Sequence, residues 1–434
     1  SSLAGSYALF ADIDAAATSG WNGGAGFDPI GDNSTRFTGT FDGLGHTISG
    51  LFIKRLTTDY VGLFGYASGS TIRNLGLLAG SITGHNYVGG LVGQNLFGTI
   101  SQVYVTGEVN GAGALSPAYA GGLAGLNKSG TIVQSYATGA VTGTSNVGGL
   151  VGGNMSGGTI TQAYATGAVH GKSGVGGLAG TNLDGTITQA YATGAVSGTS
   201  LLGGLVGSSP GTVTRSYWAK DTTGRNSSAG GTGLTMAQMM NLASFADWGT
   251  DISAVGGSDA AWRIYEGQTG PLLRNFMTAL TVTGGDVSAT YDGGTGHELL
   301  PEDYAFNIDP QLGVFGTARY EAGTKNAGSY SNAGLTFSGL YSGQQGYDIT
   351  FVAGTLTVDK AQLRLSTGDV SKTYDGTTSA NGSLIVSNGT LFGGDSLGGG
   401  SFSFADKNAG TGKHVIVSGV TANDGNGGGN YAIS

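Results

Sequence analysis

The side chains that recur most faithfully in this chain are a glutamine, a tyrosine and a threonine at steps of two. Gln102, Gln134, Gln162 and Gln189 each stand two residues before Tyr104, Tyr136, Tyr164 and Tyr191. Thr106, Thr138, Thr166 and Thr193 come two residues later. Aromatic rings in a row can stack on sugar rings, and amides and hydroxyls can bond sugar hydroxyls. Linked weak contacts of that kind give avidity without a deep pocket. A structural reading competes with it: stacked tyrosines stabilise adjacent rungs of a sheet, as cross-strand aromatic pairs do.

Other chemistry finds less support. His46, His85, His170, His297 and His414 are far apart and show no ligand spacing, so no metal site is expected. No cofactor motif is present. Asp12 and Asp14 could flank a glycosidic bond as paired carboxylates, but their place at the start of the repeats suits end-cap residues. Between Ser81 and Gly207 the only formal charges are Glu108, Lys128, Lys172 and Asp184, and they do not recur in register. A polysaccharide lyase or hydrolase would gather its acid, base and cation residues on one face. The Asp424-Gly425-Asn426 loop could take calcium, though a Gly-rich hairpin loop explains it as well.

The elements that must position these columns are set by a repeat. The pattern Gly-Gly-Leu-Val/Ala-Gly-x-Asn, then Gly-Thr-Ile, then Tyr-Ala-Thr-Gly-Ala-Val recurs around Leu91, Leu123, Leu150, Leu178 and Leu205, with a looser copy at Leu63. The steps are 28, 32, 27, 28 and 27 residues. Such a period marks a repeat architecture. The units are Gly-rich and carry no helix-length apolar stripe, which predicts a right-handed parallel β-solenoid.

Three short strands per coil would give a three-sided prism. Alternation along the strand places Gln, Tyr and Thr on one outward face. Asn95, Asn127, Asn154 and Asn182 form a corner ladder whose amides can bond one another, the Asn tolerating left-handed backbone. Gly107, Gly139, Gly167 and Gly194 mark the next corner. The longest repeat contains Pro117, so 112–118 is expected to bulge outward.

Open coil ends invite aggregation and need caps. Asp12 to Phe41 breaks the period upstream. Downstream, Thr235-Met236-Ala237-Gln238 reads as a helix capping box, followed by an apolar face of Met236, Met239, Met240 and Ala243 that suits a plug over the last coil. After about Phe276 the period vanishes. Tyr291-Asp292-Gly293 returns as Tyr374-Asp375-Gly376, and Lys325-Asn326-Ala327-Gly328 returns as Lys407-Asn408-Ala409-Gly410. The expected organisation is an N-terminal cap and first coils (1–60), a solenoid (61–218), a C-terminal cap with a short helix (219–278), and two small all-β modules at 279–358 and 361–434. The second module reads as lacking its final strand, and both ends read as boundaries within a longer protein.

Composition narrows the class. The chain has 434 residues, 87 Gly, no Cys and a net charge of −9. The acidic balance argues against nucleic acid and anionic membranes as partners. The missing cysteines exclude a disulfide-stapled scaffold and favour a large exported protein.

The motif Gly-Gly-Leu-Val-Gly-x-Asn…Gly-Thr-Ile-x-x-Ser-Tyr-Ala-Thr-Gly resembles the GLUG repeat of bacterial surface proteins. The blocks from Asp12 to Ile48 and from Gly230 to Arg274 are similar to segments that open and close such arrays. Lys372-Thr373-Tyr374-Asp375-Gly376-Thr377-Thr378 resembles the YDG or MBG-type modules of filamentous-haemagglutinin-like exoproteins. The resemblance implies a large adhesin, secreted to the surface of a Gram-negative bacterium by two-partner or autotransporter export through an outer-membrane partner. The expected function is that of a non-enzymatic, monomeric rod that attaches to host or biofilm glycans, or that presents a distal binding domain. GLUG repeats also accompany immunoglobulin-A proteases, but this chain contains no His-Glu-x-x-His. A carbohydrate-active solenoid enzyme and a purely structural spacer remain the alternatives. If this segment binds, the expected surface is the stripe Tyr104, Tyr136, Tyr164 and Tyr191 with Gln102, Gln134, Gln162 and Gln189.

Overall fold

The computed structural model describes residues 3–113, 118–311 and 313–434. The chain divides into two compact units with the boundary between Met277 and Thr278. The first is a parallel β-solenoid. Its coils carry four strands, not the three expected. In one coil these are Val92–Leu96, Thr99–Val105, Glu108–Gly111 and Ala120–Gly121. The fourth comes from the Val/Ala-Gly dipeptide before Gly-Leu, too short to stand out in a sequence of this composition. Four stacked parallel sheets result.

Register explains why the repeat is so strict. Thr99, Ile100 and Tyr104 pair with Thr131, Ile132 and Tyr136, and the same residue types pair on to Thr186, Ile187 and Tyr191. The inner columns Ile100, Ile132, Ile160 and Ile187, and Leu91, Leu123, Leu150 and Leu178, are fully buried. Each coil thus buries its apolar residues against the coils above and below. Glycine is needed at the corner for close approach: a Cβ on Gly139 would stand 1.9 Å from the carbonyl oxygen of Gly107, and one on Gly167 equally near that of Gly139.

The asparagine ladder forms at the first corner. Nδ2 of Asn95 donates to Oδ1 of Asn127 at 2.8 Å, Asn127 to Asn154 at 2.8 Å and Asn154 to Asn182 at 2.9 Å. All four are buried. The left-handed residue is not the asparagine but the one two places on: Phe97, Ser129, Ser156 and Asp184 have φ of 53–57°.

At the N-terminal end Ser6–Ala8 and Ile13–Asp14 pair with Thr40–Asp42 and Thr47–Ser49. Asp12 accepts from Thr47 N and Asp14 from Ala16 N, so both carboxylates tie down this cap. At the other end the capping box forms as expected, with Gln238 N bonded to Thr235 Oγ1 and Thr235 N to Gln238 Oε1. Of the expected bulge at 112–118, residues 114–117 lie outside the described residues.

The second unit holds two related modules. In the first, Thr278–Gly284 pairs in parallel with Tyr347–Val352, and Val287–Thr290 pairs in parallel with Leu356–Asp359. In the second, Ala361–Thr367 pairs in parallel with Tyr431–Ile433, the two strands again carrying Leu363 against Ile433.

Candidate binding surface

The tyrosine column lies outside the solenoid wall, but it is not on the protein surface. Gln102, Gln134, Gln162 and Gln189 all have φ of 47–55°, so the strand kinks at each glutamine. Side chains on either side fall back into alternation: Ile100, Val103 and Val105 point inward and are buried. The tyrosines point away from that core, stacked at 5.2, 4.7 and 4.9 Å between centroids and within 8° of parallel. They meet a second apolar cluster, formed with Met239, Phe245, Trp248, Trp262 and Leu273.

The segment expected to plug the last coil is therefore a strap along the flank. Phe245 and Trp248 pack on Tyr217, and Trp262 packs on Tyr191 and Tyr164. Phe276 sets its edge against Tyr136 and Tyr104. The strap thus runs back over five coils, roughly 20 Å at the spacing of neighbouring strands. Its polar groups are matched to the ladder. Tyr191 Oη donates to Pro271 O at 2.7 Å, Gln189 Nε2 to Asp251 Oδ2 at 2.7 Å, and Trp248 Nε1 to Arg215 O at 2.8 Å.

These contacts correct the expected site. Tyr136, Tyr164 and Tyr191 are only 3, 3 and 4 % exposed, and their faces are taken by one another. Burial pushes the hydroxyl pKa of Tyr164 and Tyr191 above the ordinary tyrosine value. Tyr104 is half-buried at the end of the strap. Gln189 is buried, while Gln102, Gln134 and Gln162 keep partial exposure and donate along the column at 3.4, 3.0 and 3.3 Å. No row of free aromatic faces remains there. Period-two alternation locates the outward face correctly. The strap has no signature in the sequence because its partner is a stripe that exists only once the coils have stacked.

A different aromatic column is more open. Tyr60 and Tyr87 stack at 4.8 Å, and Tyr87 and Tyr119 at 5.4 Å, across the strands that carry Tyr66 and Gln94. Tyr60 and Tyr87 are half-buried, and the Arg36 guanidinium lies over the Tyr66 ring at 4.5 Å. Asp59 accepts from His85 Nδ1 at 2.8 Å beside them. The later copies place Asn146, Gly174 and Leu201 in this column, which hides it from a search for repeated residues. In the second unit Asp424 accepts from the backbone of Asn426, Gly428 and Asn430, so its carboxylate organises a turn.

Comparison with known proteins matches these parts separately. Residues 84–110, 143–169 and 171–197 are GLUG motifs, and residues 359–434 are a YDG domain. Over 104 residues the chain is 49 % identical to halomucin of Haloquadratum walsbyi, covering 23 % of this chain and 1 % of that protein. Over 87 residues it is 44 % identical to a protein of Evansella cellulosilytica provisionally named a Gly-rich membrane protein, covering 19 % and 10 %. The chain thus spans a small fraction of either relative. A crystal structure from Bacteroides ovatus, provisionally titled an immunoglobulin A1 protease, aligns over 61 % of this chain and 84 % of that one with 24 % identity and a TM-score of 0.44. A likeness at that level carries no argument about function.

Proposed function

We propose that this chain is a non-enzymatic segment of a large exported surface protein, a stalk that carries a more distal adhesive part. The observation that supports it is the closed flank. The long ladder of aromatic and amide groups is spent on holding a strap, and the charges of the repeats are scattered. Both features favour rigidity over recognition. The surface context rests on the GLUG and YDG segments and on the names of the two relatives. Small-angle scattering of the whole chain tests the stalk reading, with an elongated particle expected. A compact particle overturns it, and so does cleavage of acidic or neutral polysaccharides by the purified chain.

A second reading, direct attachment to a glycan, draws on the Tyr60–Tyr87 column beside Arg36, Asp59 and His85. Ring edges, hydroxyls and a guanidinium suit an extended polysaccharide better than a small ligand. A glycan array with the whole chain and with Tyr87→Ala separates the two. Binding lost in the variant favours attachment, and no binding in either favours the stalk.

A further inference from the structure

The two modules of the second unit differ in one strand. In the first, Leu356–Asp359 is gripped from both sides: Val287–Thr290 pairs with it in parallel, and Gly328–Tyr330 pairs antiparallel. Leu356 and Val358 point into the module and are 0 and 4 % exposed. Both gripping segments recur in the second module. Val287-Ser288-Ala289-Thr290-Tyr291-Asp292-Gly293 becomes Val370-Ser371-Lys372-Thr373-Tyr374-Asp375-Gly376, and Gly328-Ser329 becomes Gly410-Thr411. There, neither segment is paired in a sheet. Between them runs a groove of about 1200 Å³, walled by 368–372 and 409–414 with Val415 and Val417 among its lining residues.

In the first module, the gripped strand leads directly into a joint with the second. Asp395 of the second module accepts from Tyr291 Oη at 2.8 Å, from Tyr431 Oη at 2.8 Å and from Lys325 Nζ at 3.4 Å. Asn430 accepts from Ala327 N at 2.8 Å. Tyr291 is 1 % exposed in this clasp. Its counterpart Tyr374 is 64 % exposed, and Lys407, the counterpart of Lys325, is exposed too. The slot and the unused half of a clasp lie in one module, in the arrangement that the first module fills.

We propose that the groove between 368–372 and 409–414 accepts an extended strand, and that its occupant is a strand linking this module to one further module of the same kind, as Leu356–Asp359 links the first module to the second. That strand has the pattern of Thr355-Leu356-Thr357-Val358-Asp359, with two apolar side chains two residues apart. It adds by backbone pairing, parallel to 370–373 and antiparallel to 410–412, as in strand addition to a sheet edge. The next module's aspartate is then held by Tyr374 and Lys407, as Asp395 is held by Tyr291 and Lys325.

The test uses the whole chain and a labelled synthetic peptide with the sequence of residues 353–360. Saturable binding is expected, together with slowed amide exchange at 369–373 and 410–414. A peptide with aspartate in place of both the leucine and the valine should bind at least tenfold more weakly, and so should the original peptide to a Val370→Asp chain. The proposal is overturned by no saturable binding at millimolar peptide, by equal binding of the aspartate peptide, or by protection elsewhere. It is also overturned if the chain alone dimerises with protection at these residues, since a second copy would then be the occupant.

Discussion

Replacing Tyr164 with alanine tests whether the ladder is core. The ring is 3 % exposed and sits between Tyr136 at 4.7 Å and Tyr191 at 4.9 Å, with Trp262 at 6.2 Å. Truncating a large buried aromatic costs about 3–5 kcal/mol, of which each lost ring pair contributes about 0.5–1.5 kcal/mol. We expect about 4 kcal/mol for Tyr164→Ala. Tyr104→Ala should cost about 2 kcal/mol, because that ring is half-buried and has one stacked neighbour. For a unit of this size a loss of 1 kcal/mol lowers Tm by about 2–4 °C. Calorimetry should therefore show a drop of roughly 8–16 °C for Tyr164→Ala and about half that for Tyr104→Ala. In a double-mutant cycle Tyr164→Ala and Trp262→Ala should couple by about 1 kcal/mol, as residues in contact do. A Tyr164→Ala chain that melts within about 2 °C of the parent, or a cycle with no coupling, refutes the strap.

Four further outcomes are expected from the ladders and the joint. Asn127→Ala leaves the Asn95 amide with only one of its two acceptors, the Gly98 carbonyl, and Asn154 Oδ1 without its donor from Asn127; a loss of about 2–3 kcal/mol is expected in urea unfolding, from buried polar groups left unpaired. Gly139→Ala places a Cβ against the Gly107 carbonyl and should cost more than about 2 kcal/mol by the same assay, as overpacking does. Burial raises the Asp395 pKa, but hydrogen bonds from Tyr431 and Tyr291 and the Lys325 charge outweigh it and hold the carboxyl below its ordinary 3.8. The stability it contributes is thus full above about pH 4 and is lost as pH falls through the lowered value. NMR shifts of Ala327 and Tyr431 should report loosening of the module joint below about pH 4 in the parent, and Asp395→Asn should abolish that step. Burial raises the Tyr431 hydroxyl from 10.0 to about 12, so its contribution should fade only as pH rises between those two values.

Much of the solenoid was legible because its residues act in register. A column of identical side chains at a fixed period can be read without coordinates, and the isoleucine, asparagine and glycine columns all fell where the spacing placed them. The capping box at Thr235 was legible for a local reason, since its two hydrogen bonds span only three residues. The fourth strand was not, because two residues of Val-Gly carry no periodicity. The kink at glutamine was hidden too. Left-handed backbone at a glutamine has no signature in sequence, and it is stabilised by the coils stacked on either side of it.

The strap was the larger omission, and its cause is general to stacked folds. A parallel solenoid turns every outward residue into a row, so one tyrosine per coil becomes a continuous apolar band. Such a band must be covered or used. Cover has to come from a segment that does not repeat, because a single strap crosses many coils, and its side chains match a surface that no single coil possesses. Phe276 touches Tyr136 and Tyr104 although 140 and 172 residues separate them. No local pattern in 234–276 encodes that distance. Periodicity therefore finds the ladder, and only the aromatic content of the non-repeating flank, Phe245, Trp248, Trp262 and Phe276, hints at what lies on it. In repeat proteins of this kind, an aromatic row with an aromatic-rich aperiodic segment after it is better read as core than as a binding stripe. The half-buried column at Tyr60 and Tyr87 lies outside the strap's ring contacts.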